Sequence, residues 1–172
     1  MGFGKRITFN PKKYKNSKFA ILIPARDESN IIEELLCAIS HQDYPKDSLD
    51  VFVVVKDKND KTIELTKKYG YNALICENQT RKGDALDFAI KHIYKNNLQY
   101  DLFVIFDADN VPKKTFFKEM NKAYLCGYDI GMGYRNCKNW NDSWVSASSG
   151  LIFNLINTLS NKGKTKCQKL NI

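Results

Sequence analysis

The chain has 172 residues, 43% hydrophobic and 27% charged, which is the composition of a soluble globular protein with room for a sizeable core. Its longest apolar runs, such as Leu102–Phe106, fall far short of the roughly 20 residues a membrane span needs, and the first twenty residues lack the apolar centre of a secretory signal. The net charge of +8 lies at the ends: residues 1–18 hold Lys5, Arg6, Lys12, Lys13, Lys15 and Lys18 with no acid, and residues 161–172 hold Lys162, Lys164, Lys166 and Lys169 with no acid. Such ends suit an anionic membrane face or simple solvation. No aromatic–basic interleaving points to nucleic acid. The five cysteines are scattered without C-x-x-C spacing, so they read as reduced cytoplasmic thiols and not as a zinc or disulfide framework.

The interior alternates strand and helix. "KFAILIP" (Lys18–Pro24) is an apolar run stopped by proline, a buried-strand signal. In "SNIIEELLCAIS", Ile31, Leu35, Ala38 and Ile39 share a helical face, and Asn30 with Glu33 fits a capping box. "LDVFVVV" (Leu49–Val55) predicts a second strand, "DKTIELTKKYG" a short helix closed by Gly70, and "NALIC" (Asn72–Cys76) a third strand. "KGDALDFAIKHIY" is helical by spacing, "LFVIF" (Leu102–Phe106) is a fourth strand, and "KKTFFKEMNKAYLCG" is a helix ending near Gly127. "DIGMGYR" predicts a fifth strand and "WVSASSGLIFNLINTL" a last helix. His41 and His92 fall in helical patterns and read as surface or packing residues.

Continuous β-branched strands joined by helices predict an α/β layer fold with a parallel sheet. No repeat or linker interrupts it. One domain, 19–160, is therefore expected between a basic arm, 1–18, and a basic tail, 161–172. Ligands of such sheets bind beyond the carboxyl ends of the strands. The segments there are "ARDES" (Ala25–Ser29), "KDKND" (Lys56–Asp60), "ENQTRKGD" (Glu77–Asp84) and "DADN" (Asp107–Asn110), all of them polar.

Asp107 and Asp109 stand two residues apart, so on extended backbone they point the same way and repel unless a cation or proton joins them. Mg²⁺ or Mn²⁺, shared with a phosphate-bearing ligand, answers that need. A turn capping the next helix answers it equally well. Asp57 follows its strand directly and suits a base or ribose hydroxyl, helix capping there being better served by Asn59 or Asp60. Arg81 and Lys82, at a helix start before Gly83, suit a diphosphate or plain surface charge. Arg26 and Glu28 flank the first helix start and read as a simple ion pair. There is no P-loop, and "GMG" at Gly131–Gly133 lacks the rest of a dinucleotide fingerprint.

Four segments, "ILIPARDESNIIEELLCAISHQDYP", "VFVVVKDKNDKT", "RKGDALDFAI" and "VIFDADNVP", resemble in order and spacing the family 2 glycosyltransferases, the synthase-like branch of the GT-A fold. "GMGYRN" resembles that family's next strand and turn. The resemblance runs from about Phe19 to Leu159 and implies a three-layer α/β sandwich with a mostly parallel central sheet, of the nucleotide-diphospho-sugar transferase type. It implies a UDP-sugar donor, metal-dependent transfer to a glycan or lipid acceptor hydroxyl with inversion, and Mg²⁺ or Mn²⁺ as cofactor. By position, Pro24, Ala25, Arg26, Glu28, Asp57, Arg81, Lys82, Asp107 and Ala108 would line the nucleotide-sugar pocket, and Asp107 and Asp109 would hold the metal.

The family's base, in an E-D or T-E-D segment, and its Q-x-x-R-W motif are not found. Asp129 and Asp142 are the only acids after Glu119, and neither is assigned as base. A donor-binding fragment is expected, with self-association through the apolar "LIFNLINTL". The resemblance also implies a place at the cytoplasmic membrane face. A nucleotidyltransferase would show a glycine-rich loop where "PARDES" stands. A non-catalytic module binding nucleotides or anionic surfaces is the remaining alternative.

Overall fold

Four strands and four helices alternate within the compact unit Phe9–Tyr128. The structure, a computed structural model, describes residues 15–133. The elements are β1 (Phe19–Pro24), α1 (Ile32–Ser40), β2 (Leu49–Val55), α2 (Thr62–Lys68), β3 (Asn72–Ile75), α3 (Lys82–Lys95), β4 (Leu102–Ile105) and α4 (Phe116–Leu125), with a 3₁₀ turn at Lys46–Ser48 before β2.

The sheet is parallel throughout, in the order β3-β2-β1-β4. Ile21 of β1 sits opposite Val51 of β2 and Val104 of β4, so β1 is central and buried along its whole length. Alternation of side chains along each strand splits the core in two. Phe19, Ile21 and Ile23 join Val51, Val53 and Val55 against Ile32, Leu35, Leu36 and Ile39 of α1 and Phe117 of α4. Ala20 and Leu22 join Phe52, Val54 and Leu74 against Ala85, Ala89 and Ile93 of α3. Helices therefore cover both faces, giving the three-layer sandwich expected.

Phe117 is fully buried and meets Phe19 and Phe116 edge to face at 5.2 Å each, which fastens α4 to the sheet. Helix α2 closes in a Schellman motif at Gly70, whose φ of 74° is left-handed: Gly70 N–H donates to Lys67 and Tyr71 N–H to Thr66. Asn97, φ 52°, closes α3 in the same way.

Two expectations are corrected. Helix α1 has no capping box. Its N-cap is Ile31, the carbonyl of Glu28 takes the amides of Ile31 and Ile32, and Glu33 pairs with Lys68 at 2.8 Å. A tertiary partner thus takes the side chain that local spacing reserved for the cap. The second concerns "DIGMGYR": residues 129–133 belong to the other unit and form no strand, and the remainder lies outside the described residues. The predicted last helix, Asp142 and most of both basic ends also lie outside them. Among the described residues no helix is long and apolar enough to cross a membrane.

Candidate functional site

The chain leaves β1 toward β2 and β3 on one side, then crosses to β4 on the other. The segments after β1 and β4 therefore part at the carboxyl edge, the kind of point where ligands of such sheets bind. The strand ends hold it in register. Ala25 N–H donates to Val54 (2.8 Å), Cys76 N–H to Val55 (2.8 Å) and Phe106 N–H to Leu22 (3.1 Å), so all four segments start at one level.

One part of this edge is a cleft of about 440 Å³ lined only by polar and charged residues: Arg26 and Asp27 after β1, Lys56, Asp57, Lys58 and Asp60 after β2, and Glu77 after β3. Asp57 is exposed there, and its carboxylate accepts the amide of Asn59 at 2.8 Å. Asp60 does the capping, taking Thr62 N–H at 2.8 Å and, with its other oxygen, Asp27 N–H at 3.2 Å. Burial pushes the Asp60 carboxyl up, but the bonds from Thr62 and Asp27 outweigh it and hold the group below the usual range. Asp27 itself has φ 55°, a left-handed conformation that aspartate adopts more readily than most residues. Pro24 and Ala25, which precede Arg26, are buried.

The other part is a charge cluster between β1, α3 and β4. "DADN" is a tight turn closed by Asn110 N–H on the Asp107 carbonyl at 3.0 Å. The expectation that Asp107 and Asp109 stand on extended backbone is thereby corrected: β4 ends at Ile105, and the two aspartates take the first and third places of the turn. Ala108 between them is 3% exposed and anchors it. Thr115, the N-cap of α4, makes no side-chain cap hydrogen bond. Asp107 is ion-paired with Lys82, the first residue of α3. Glu28 is half-buried, and its Oε2 is buried without a hydrogen-bond partner. Burial raises the Glu28 carboxyl above its ordinary value and the charge of Asp109 raises it further, while Lys82 opposes both. Among the described residues no three His, Cys, Asp or Glu side chains converge as a metal cage.

Arg81 is the α3 N-cap, with its guanidinium exposed and 4.0 Å from Asp84. The Asp84 carboxylate accepts the Thr80 hydroxyl (2.6 Å) and the amides of Arg81 (2.7 Å) and Thr80 (2.9 Å), which pull its pKa down to about 2. The structure thus gathers Arg26 and Asp57 in the cleft, and Glu28, Lys82, Asp107 and Asp109 in the charge cluster. Residue-by-residue selection passes over Asp27, Lys56, Lys58, Asp60 and Glu77. All five lie in the strand-end segments, and within a polar loop nothing in the sequence separates a lining residue from a solvated one.

The family described as "Glycosyltransferase like family 2" matches residues 16–158. The "probable glycosyltransferase YdaM" of Bacillus subtilis is 30% identical over 124 residues, 66% of this chain and 29% of the relative. The poly(ribitol-phosphate) beta-N-acetylglucosaminyltransferase TarS of Staphylococcus aureus is 31% identical over 102 residues, 59% of this chain and 18% of the relative. The chain thus spans less than a third of the length of either. Among solved structures, TarS 1–349 superposes with a TM-score of 0.56 at 21% identity, over 70% of this chain and 39% of that one. The mannosyltransferase PcManGT of Pyrobaculum calidifontis, in complex with GDP-Man and Mn²⁺, superposes with a TM-score of 0.56 at 25% identity, over 76% of this chain and 37% of that one.

Proposed function

This chain belongs to glycosyltransferase-like family 2, and from that premise we propose that it binds a UDP-sugar together with a divalent cation, Mg²⁺ or Mn²⁺, for transfer of the sugar to an acceptor hydroxyl with inversion. The observation that carries the reading is the Lys82–Asp107 pair, which brings the α3 N-terminus against the aspartate turn at the sheet's switch point. Beside it the charges of Asp109 and Lys82 act on Glu28, one oxygen of which is buried without a hydrogen-bond partner. That excess of hard oxygen ligands fits a divalent cation. With one or two carboxylates in reach, the donor's phosphates complete its shell.

In this reading Asp107 and Asp109 hold the cation, which offsets the charge gathering on the diphosphate as the sugar leaves. Arg26 and Asp57 face the base and ribose, Pro24, Ala25 and Ala108 form the apolar floor, and Arg81 and Lys82 meet the diphosphate at the α3 N-terminus, where backbone amides and dipole favour anions. Glu28 completes the pocket wall beside the cation. Donor binding is the share of the activity these residues account for, and no described residue is assigned as the acceptor's base. The basic ends are read as the contact with an anionic membrane face on the cytoplasmic side. The Mn²⁺ and GDP-Man bound by PcManGT support the cation and the donor class.

Calorimetric titration with UDP, and in parallel with GDP, tests the proposal with and without Mn²⁺. UDP binding should require Mn²⁺ and weaken on the order of tenfold or more in Asp109→Asn. Binding indifferent to both would overturn the cation-bridged donor, and GDP binding more tightly would replace uridine with guanosine.

A further inference from the structure

A lysine is electrostatically out of place where Lys82 stands. It opens a 14-residue helix, at the end where the backbone dipole is positive and where the cap is already supplied by Asp84. What holds it is the opposite charge of Asp107, with Glu28 near enough for the two charges to act on each other. Both partners are open to water, with side chains 50% and 39% exposed, so the pair is readily exchanged. The same carboxylate is the one assigned above to the cation.

We propose that Lys82 is a built-in stand-in for the divalent cation: its ammonium neutralises Asp107 while the site is empty, and moves to the donor's diphosphate when a cation takes that carboxylate. This rests on the donor reading above and adds a regulatory property to it. Cation and nucleotide then bind cooperatively for a reason beyond their direct contact. A cation arriving alone must displace Lys82. A diphosphate arriving first draws Lys82 away and exposes Asp107. By linkage, each ligand tightens the other by the same factor.

Mn²⁺ binding, followed by the loss of the free-ion paramagnetic resonance signal with and without saturating UDP, gives that factor directly. In Lys82→Met, Mn²⁺ alone should bind about threefold tighter, as expected on losing an exposed competing pair. The factor by which UDP tightens Mn²⁺ should fall by the same factor of about three, a change readable as a shift in dissociation constant. Lys82→Arg keeps the charge and should retain most of the coupling. Unchanged coupling in Lys82→Met, with both variants melting as the wild type does, would overturn the exchange and leave Lys82 a bystander charge. Absence of any coupling between Mn²⁺ and UDP in the wild-type chain would instead remove the donor reading itself. The two failures are therefore separable.

Discussion

The amide of Asp27 donates to one oxygen of Asp60 at 3.2 Å, while the other oxygen takes the amide of Thr62 at 2.8 Å. One carboxylate therefore starts α2 and ties the segment after β1 to the segment after β2. It does so at a residue whose backbone is left-handed. Asp27 and Asp60 both line the cleft assigned to the base, so the tie sets the distance between its two walls.

Asp60→Ala removes a helix cap and that tie at once. It should destabilise the fold by about 1–2 kcal/mol in urea denaturation and weaken UDP binding, without shifting the Mn²⁺ affinity measured in the absence of nucleotide. Asp27→Gly relieves the left-handed backbone and should stabilise by up to about 1 kcal/mol. A loss of stability there would mean that the Asp27 side chain holds the loop by contacts of its own.

Glu28→Gln separates binding from folding. Burial and then Asp109 raise the Glu28 carboxyl in the folded state. Its ionised form therefore costs stability above the folded pKa, and the cost is relieved as pH falls through it. The neutral variant should be more stable at pH 7.5 by up to ~1 kcal/mol after solvent screening, with the gain shrinking toward acid. Mn²⁺-dependent UDP binding should weaken. Denaturation midpoints at several pH values check the first statement and titration the second.

Two glycines should respond oppositely to alanine. At Gly70, φ 74° with open space around the missing Cβ, the cost is backbone strain alone, about 1–2 kcal/mol. Gly83 lies in the first turn of α3 at an ordinary φ, also with open space, so alanine should stabilise the helix by roughly 0.5–1 kcal/mol. If the diphosphate approaches that helix end, Gly83→Ala should nevertheless lower UDP affinity. Unchanged affinity in a more stable protein would move the diphosphate elsewhere.

Acid stability follows from Asp84 and Asp60. Hydrogen bonds from the Thr80 hydroxyl and from the Arg81 and Thr80 amides hold Asp84 at about 2, and Asp60 is also lowered. Depressed folded-state values stabilise fully above the unfolded aspartate pKa of about 3.9, and that stabilisation drains as pH falls toward 2. Urea midpoints should decline across this window. Asp84→Asn should be less stable than wild type at pH 7, and the difference should narrow below pH 4 and close only as pH falls through about 2.

Much of the fold was legible because its signals are local. The β-branched run Leu49–Val55 is buried on both faces and can only be an interior strand. Gly70 ends α2 where the pattern places it, because few other residues adopt that φ without strain. The end of β4 was less legible. "LFVIF" continues its apolar pattern through Phe106, and the bend into the turn depends on the Asn110 amide closing on Asp107. The capping box at Asn30 and Glu33 failed for a related reason: Lys68, 35 residues away, offers Glu33 a charged partner that spacing within one helix does not reveal.

From residue order alone came the alternation of strands and helices, the parallel sheet and the four polar segments at its carboxyl edge. These rest on periodicity and burial, which act between near neighbours. Only the tertiary structure decided which charges meet: Lys82 with Asp107, Asp60 with Asp27, and Glu28 with one oxygen unpartnered. A charge carries no sign of its partner's position along the chain. Its pairing is set by strand order and register, which bring together side chains that lie far apart in sequence.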